Sequence, residues 1–131
     1  MTTLTIRDEE LAGKTIHEFS LDFLTEHITV RELIRSRVYQ EVQDHNVRQN
    51  QTEFRGLVAP TDSERTLNGY RMKQARQIDW KEQFDRAVEA FEKSRILILV
   101  NDKQASSLDE DIEVRTDTVV TFLRLTLLVG G

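Results

Sequence analysis

The chain has 131 residues, of which 38% are hydrophobic and 31% are charged, and its formal net charge is -5. This length favours one domain with a sizeable core. The negative balance opposes a sequence-independent attraction to phosphate backbones, so nucleic acid is not an expected partner.

No cysteine is present, which excludes disulfides, thiolate metal ligands and a cysteine nucleophile. The start, Met1-Thr2-Thr3-Leu4, lacks the basic and apolar regions of a signal peptide. The longest apolar runs, Ile96–Val100 and residues 127–129, are too short to span a bilayer. We therefore expect a cytoplasmic location and no membrane partner.

Residues 1–24 predict a β-hairpin. Leu4 and Ile6 alternate with polar residues, which is the period of a half-buried strand, and Ala12-Gly13 then offers a turn. A second strand follows, with three apolar residues on one face: Phe19, Leu21 and Phe23.

A helix is predicted directly after this hairpin. Thr29 and Glu32 match a capping box, in which each side chain bonds the backbone N–H of the other residue. Apolar residues then recur at every fourth position, as on one face of an amphipathic helix: Val30, Ile34, Val38 and Val42, beside Leu33.

Residues 46–77 lose this periodicity and contain turn formers such as Pro60-Thr61-Asp62-Ser63 and Asn68-Gly69, which predicts a long connection without regular structure. Asp79 and Glu82 form a second capping pair ahead of another helix. Its apolar stripe either belongs to the core or presents a specificity surface: Trp80, Phe84, Ala87, Val88 and Phe91.

The last part of the chain predicts two strands and a diglycine. The apolar run Ile96–Val100 is typical of a strand that is covered on both faces or has one apolar exposed face. A longer strand is predicted over residues 119–129, and Gly130-Gly131 follows it. One face of this strand would carry Val119, Leu123, Leu125 and Leu127, and the other Val120, Phe122, Arg124 and Thr126.

This order of elements, ββαββ, is that of the β-grasp fold, and short segments of the chain resemble ubiquitin. They are Leu4-Thr5-Ile6 with Ala12-Gly13-Lys14-Thr15-Ile16, Arg95-Ile96-Leu97-Ile98 with Lys103-Gln104, Leu108-Asp109 ahead of Ile112, and Leu123-Arg124-Leu125 ahead of Gly130-Gly131. Their shared order carries the resemblance. It implies an α+β fold, a single ubiquitin-like β-grasp domain over residues 1–131, with a C-terminal tail at 129–131.

The chain departs from ubiquitin at two places. Residues 46–94 have no counterpart, so a connection and a second helix are expected as an insertion between the first helix and the third strand. Leu127-Leu128-Val129 stands where ubiquitin is basic, which implies a dedicated activating enzyme. The setting implied is a bacterial conjugation system, whose operons encode activating, conjugating and deconjugating enzymes beside the modifier.

The resemblance makes the diglycine the chemical site. Activation would adenylate the terminal carboxylate of Gly131 and pass the acyl group to a thiol, and then to a lysine of a target protein. Gly130 and Gly131 lack a Cβ, which suits a narrow enzyme channel. The reaction takes no catalytic side chain and no cofactor from this chain, so we expect that the chain is not an enzyme.

No metal site is expected either. His17, His27 and His45 have no companion at metal-ligand spacing. We expect a strand or cap position for the first two histidines and a solvated helix face for His45. Asp109-Glu110-Asp111 lacks the glycine and the alternating ligands of a calcium loop, and predicts a solvated turn.

Leu99 and Leu125 are candidates for a partner surface, because ubiquitin is recognised through an aliphatic patch on its outer sheet face. The sequence leaves open whether both belong to the core instead, since it does not fix which face of Ile96–Val100 points inward. The three residues directly before the diglycine are further candidates: Leu127, Leu128 and Val129.

Two other functions remain open. The apolar residues before the diglycine also resemble the sulfur carriers of molybdopterin and thiamin synthesis, whose terminal carboxylate becomes a thiocarboxylate, although those proteins are shorter and lack a long insertion. Alternatively, the chain is a non-covalent binding module whose tail takes no part in chemistry.

Overall fold

A computed structural model describes residues 2–10, 15–48, 50–66 and 69–125. Within these ranges the fold is α+β, with a mixed sheet and two helices. The chain divides into two compact units: the first combines the chain up to Leu33 with the chain from Ala90 onward, and the second is Ile34–Glu89. Neither of the helices described has the length and apolar character needed to cross a bilayer.

The elements in chain order are β1 (Thr2–Glu10), β2 (Thr15–Phe23), β3 (His27–Thr29), α1 (Val30–Asn46), β4 (Glu53–Phe54), β5 (Ser63–Thr66), β6 (Gly69–Met72), α2 (Trp80–Glu92), β7 (Ile96–Val100), β8 (Lys103–Gln104), β9 (Asp111–Glu113) and β10 (Val119–Arg124). The two predicted helices and the strands of the predicted hairpin are therefore present. The predicted turn at Ala12-Gly13 lies outside the described residues, and so does the predicted last strand beyond Leu125.

The five-stranded sheet of the first unit has the order β2-β1-β10-β7-β8. β1 pairs antiparallel with β2 and parallel with β10, and β10 pairs antiparallel with β7. Ile6 faces Val120 across the parallel pair, and Phe122 faces Ile98 on the other side of β10. β10, the last strand that the structure describes, thus lies in the centre of the sheet.

Alternation along these strands determines the buried face of the sheet. Leu4, Ile6, Ile98 and Phe122 have no exposed surface, whereas their neighbours in sequence are mostly half-buried or exposed. Burying an aliphatic or aromatic side chain of this size contributes about 1.5–3 kcal/mol. The inner face of β7 therefore carries Ile96 and Ile98.

The start of α1 is capped as its sequence predicts. The Glu32 backbone N–H donates to the Thr29 hydroxyl at 3.1 Å, and the Thr29 N–H donates to the Glu32 carboxylate at 3.3 Å. The first two helical N–H groups, of Val30 and Arg31, donate to the carbonyls of Glu110 and Leu108. Backbone donors that a helix start leaves unsatisfied are therefore bonded to the segment before β9, which itself pairs with β3.

The expectation of a connection without regular structure over residues 46–77 is wrong. Three short strands form a second sheet in the order β4-β6-β5. Phe54 and Met72 in these strands are buried. A Cβ on Gly69 would lie 2.5 Å from the Phe54 carbonyl oxygen, so the close pairing of β4 and β6 requires glycine there. Strands of two to four residues are too short to show an alternating pattern in the sequence.

His45 is also not on a solvated helix face, as the sequence predicted, but is buried. Its Nε2 lies 3.0 Å from the carbonyl oxygen of Arg76, and its ring meets Phe54 edge-on at 5.4 Å. The next residue, Asn46, bonds both the N–H and the carbonyl of Ile78, at 2.8 and 2.9 Å. The end of α1 thus holds the segment that leads into α2, and this long-range contact is what buries His45.

Candidate functional site

The predicted conjugation residues Gly130 and Gly131 lie outside the described residues. So do the predicted partner-binding residues of the tail: Leu127, Leu128 and Val129. The described chain ends at Leu125, one residue beyond β10. We call Arg124 and Leu125, the last two residues that the structure describes, the tail base.

This base is bonded to the sheet on both sides of its last strand residue. Arg124 is paired in register with Glu10 on β1 and with Ile96 on β7. The N–H of Leu125 donates to the carbonyl of Arg95 at 2.9 Å. The pairing of β10 with its neighbours thus continues to the last residue described.

A buried ion pair lies at the same end of β10. An Arg124 guanidinium nitrogen is 3.3 Å from Oδ2 of Asp8, and the two side chains are 12% and 3% exposed. Arg124 shares the inner face of its strand with Val120 and Phe122, as the sequence predicts. Asp8 was missed, although the alternation that starts at Leu4 and Ile6 places it on the inner face as well.

The outer face of the sheet carries a row of half-buried leucines. Leu97 is directly opposite Leu123, and Leu99 is directly opposite Thr121. Leu99 lies on the face away from the buried Ile98, because successive residues of a strand alternate. It is therefore not part of the buried inner face.

Leu99 and Leu125 are not brought side by side. Leu125 is four positions beyond the partner of Leu99 on β10, which corresponds to about 13 Å along a strand. The adjacent pair is Leu97 and Leu123 instead, and neither was among the predicted site residues. The apolar composition of both strands suggested Leu99 and Leu125 as surface residues, but the register of β7 and β10 determines which leucines are adjacent.

The histidines occupy three separate environments. His17 lies on β2 and stacks on Phe19 at 5.0 Å. His27 lies on β3, with Nδ1 2.9 Å from the Asp111 carboxylate, and this hydrogen bond raises the pKa of His27 above its ordinary value of 6.5. In the part of the chain that the structure describes, no cluster of three or more histidine and carboxylate side chains is arranged to hold a metal ion.

No protein-family model matches this chain, and neither curated proteins nor solved structures provide a match. The described site combines a tail base, a buried ion pair and an apolar outer face.

Proposed function

We propose that this chain is a ubiquitin-like β-grasp protein modifier. A mature chain that ends at Gly131 is activated at its terminal carboxylate by an ATP-dependent enzyme. It is then joined to a lysine amine of a target protein through a conjugating enzyme, and a deconjugating peptidase releases it. Residues 46–94 act as an insertion in the β-grasp domain.

One observation supports this proposal above the others, the strand order β2-β1-β10-β7-β8 of the five-stranded sheet. The hairpin is followed by α1, and the last strand returns to the centre of the sheet, parallel to β1 and antiparallel to β7. A β-grasp domain has this arrangement. It supports a tail that starts from a central strand held on both sides.

The proposed reaction uses the terminal carboxylate of the modifier and none of its side chains. The carboxylate of Gly131 attacks the α-phosphorus of ATP and pyrophosphate leaves, and an enzyme thiolate then displaces AMP from the acyl adenylate. The lysine amine finally displaces the thiolate and forms an isopeptide bond. Residues without a Cβ at positions 130 and 131 allow the close approach that these displacements need.

The outer sheet face supplies the surface that partners would recognise. Leu97, Leu99 and Leu123 are half-buried there, and Leu97 on β7 is directly opposite Leu123 on β10. Leu125 follows at the tail base. Together with Leu127, Leu128 and Val129, whose sequence differs from the basic one of ubiquitin, these residues would select a dedicated activating enzyme.

The test is intact-mass measurement after incubation with ATP and the activating enzyme encoded beside the gene. A thioester or amide adduct is expected, and removal of Gly131 should abolish it. Leu24→Ala is the matched control, since Leu24 is an apolar side chain that is 88% exposed outside the proposed site. An unchanged mass with every neighbouring enzyme would contradict the proposal and favour a non-covalent binding module.

The sulfur carrier remains the second candidate, because the apolar Leu127-Leu128-Val129 resembles the residues before the diglycine of those proteins. The same experiment separates the two. Exchange of one oxygen for sulfur in the free protein, without a stable protein adduct, would identify a carrier.

A further inference from the structure

We propose that the ion pair of Asp8 and Arg124 fixes the register of β10 in the sheet and thereby sets how many residues separate the end of the described sheet from Gly131. The register itself is independent of the proposed function. Its consequence for activation rests on that function. Both residues act by positioning the tail.

Apolar patterning alone does not specify the register of β10. Both faces of this strand are apolar, with Val120 and Phe122 on the inner face and Val119 and Leu123 on the outer one. With Thr121 as the one polar residue of β10 before Arg124, the alternation of polar and apolar residues is too incomplete to select a face by itself. Arg124 is the one charged residue between positions 118 and 131.

The first alternative is a shift of β10 by one residue relative to β1 and β7. It would bring Thr121 and Leu123 to the inner positions and would move Phe122 and Arg124 to the outer face. Asp8, which is 2% exposed, would then be buried without this guanidinium. The ion pair therefore opposes this shift, and so does the loss of the buried place of Phe122.

Shifts by two residues keep the faces but are also opposed. In one direction Phe122 moves to the place of Arg124, and Asp8 again loses its cation. In the other direction Arg124 enters the fully buried place of Phe122, and Phe122 enters the smaller place of Val120, which overpacks the core. The native register is the one that satisfies both the charge and the volumes.

The register determines the length of the tail. Seven residues follow Arg124 up to Gly131. A two-residue shift would move the terminal carboxylate by about 6.6 Å relative to the sheet, at the rise of a parallel strand. An enzyme that holds the sheet and adenylates the carboxylate has to match that length.

The register can be read by cross-linking, because the chain has no cysteine of its own. Leu97→Cys with Leu123→Cys reports the native register, in which these residues are directly opposite. Leu97→Cys with Thr121→Cys reports the two-residue shift. In the otherwise unchanged chain, the first disulfide should form about tenfold faster than the second, since Cα atoms of a diagonal pair are too far apart for an unstrained disulfide.

Asp8→Leu with Arg124→Met is the decisive background, and the ratio of the two cross-linking rates should fall to about threefold or less. Asp8→Asn alone keeps the volume and should lower the ratio in the same direction. Arg124→Lys keeps the cation and should preserve it. The matched control is Arg7→Gln with Glu18→Gln. It removes an exposed ion pair between β1, the strand of Asp8, and β2, and should leave the ratio of cross-linking rates unchanged.

An unchanged ratio in both Asp8 variants would overturn the proposal. Pyrophosphate exchange with ATP and the activating enzyme tests the consequence, and a tenfold slower exchange is expected of Asp8→Leu with Arg124→Met. A shifted register with unchanged exchange would overturn the link to tail length. Absence of exchange with the unchanged chain would refute the proposed function instead, and the cross-linking result would stand.

Discussion

Replacement of Arg124 by methionine should destabilise the protein far more than loss of an exposed arginine. The substitution keeps most of the side-chain volume but leaves the Asp8 carboxylate, whose side chain is 3% exposed, without the guanidinium 3.3 Å away. Removing one partner of a buried ion pair typically costs 3–5 kcal/mol. Because Arg124 is 12% exposed and the contact is moderately long, the lower value of about 3 kcal/mol is expected.

Urea unfolding followed by far-UV circular dichroism measures this loss. With a slope of about 2 kcal/mol per molar urea, a loss of about 3 kcal/mol lowers the midpoint by about 1.5 M. Asp8→Leu added to Arg124→Met should recover most of the stability, to within about 1 kcal/mol of the unchanged chain, because an apolar pair removes the buried charge. The double variant separates the loss of the ion pair from the cost of a buried carboxylate that has lost Arg124.

Arg7→Gln is the matched control, since Arg7 pairs with Glu18 at 2.8 Å with both side chains about half exposed. It should cost less than about 1 kcal/mol. The reasoning is refuted if Arg124→Met costs no more than this control. It is equally refuted if the double variant is as unstable as the single one.

Three further predictions concern the contacts that hold the helices and β3. Asn46→Ala should cost about 2–3 kcal/mol in urea unfolding, because the N–H and carbonyl of Ile78 both lose their partner. Thr29→Ala should cost about 1 kcal/mol by the same measurement, since it removes the cap of α1. Asp111→Asn should lower the pKa of His27 in an NMR titration, because it removes the hydrogen-bonded carboxylate that raises it.

The same raised pKa gives a pH dependence with a definite sign. The contribution of His27 and Asp111 to stability is complete below pH 6.5, the ordinary pKa of histidine in the unfolded chain, and is lost as the pH rises through the raised pKa of the folded state. The Asp111→Asn variant should lack this loss. An identical pH dependence of unfolding in both proteins would contradict the assignment.

Each of the two alanine variants has a control, Gln40 on α1 for Asn46→Ala and Thr3 on β1 for Thr29→Ala. Gln40→Ala removes an exposed side-chain contact with Asp44 on α1 and should change stability by less than about 0.5 kcal/mol. Thr3→Ala, which removes an exposed bond to Asp22, should behave alike. If either control matches its partner variant, the backbone contacts of Asn46 or the cap of Thr29 do not contribute as inferred.

Much of the fold could be predicted because the signals were local. The capping residues Thr29 and Asp79 mark helix starts that the structure places at Val30 and Trp80. The run Ile96–Val100 is a strand within the bounds that its composition predicts. Caps and apolar runs depend on neighbours within a few residues, so the sequence displays them directly.

The predictions that were wrong concern features that depend on residues distant in the sequence. The strands between residues 53 and 72 are two to four residues long, and their pairing rather than their pattern defines them. His45 is buried by contacts with Phe54 and Arg76, which belong to that segment. The residues near His45 in the sequence do not indicate these contacts.

The sequence by itself determined the two helices, the strands of the hairpin, the strand Ile96–Val100, the lone charge of Arg124 on β10 and the presence of Gly130-Gly131. The tertiary structure decided that Asp8 meets Arg124 and that Leu97, rather than Leu99, faces its leucine partner on β10. The physical reason is register. The alternation of polar and apolar residues along β10 is incomplete, so the packed sheet, with its buried charges and volumes, selects the alignment.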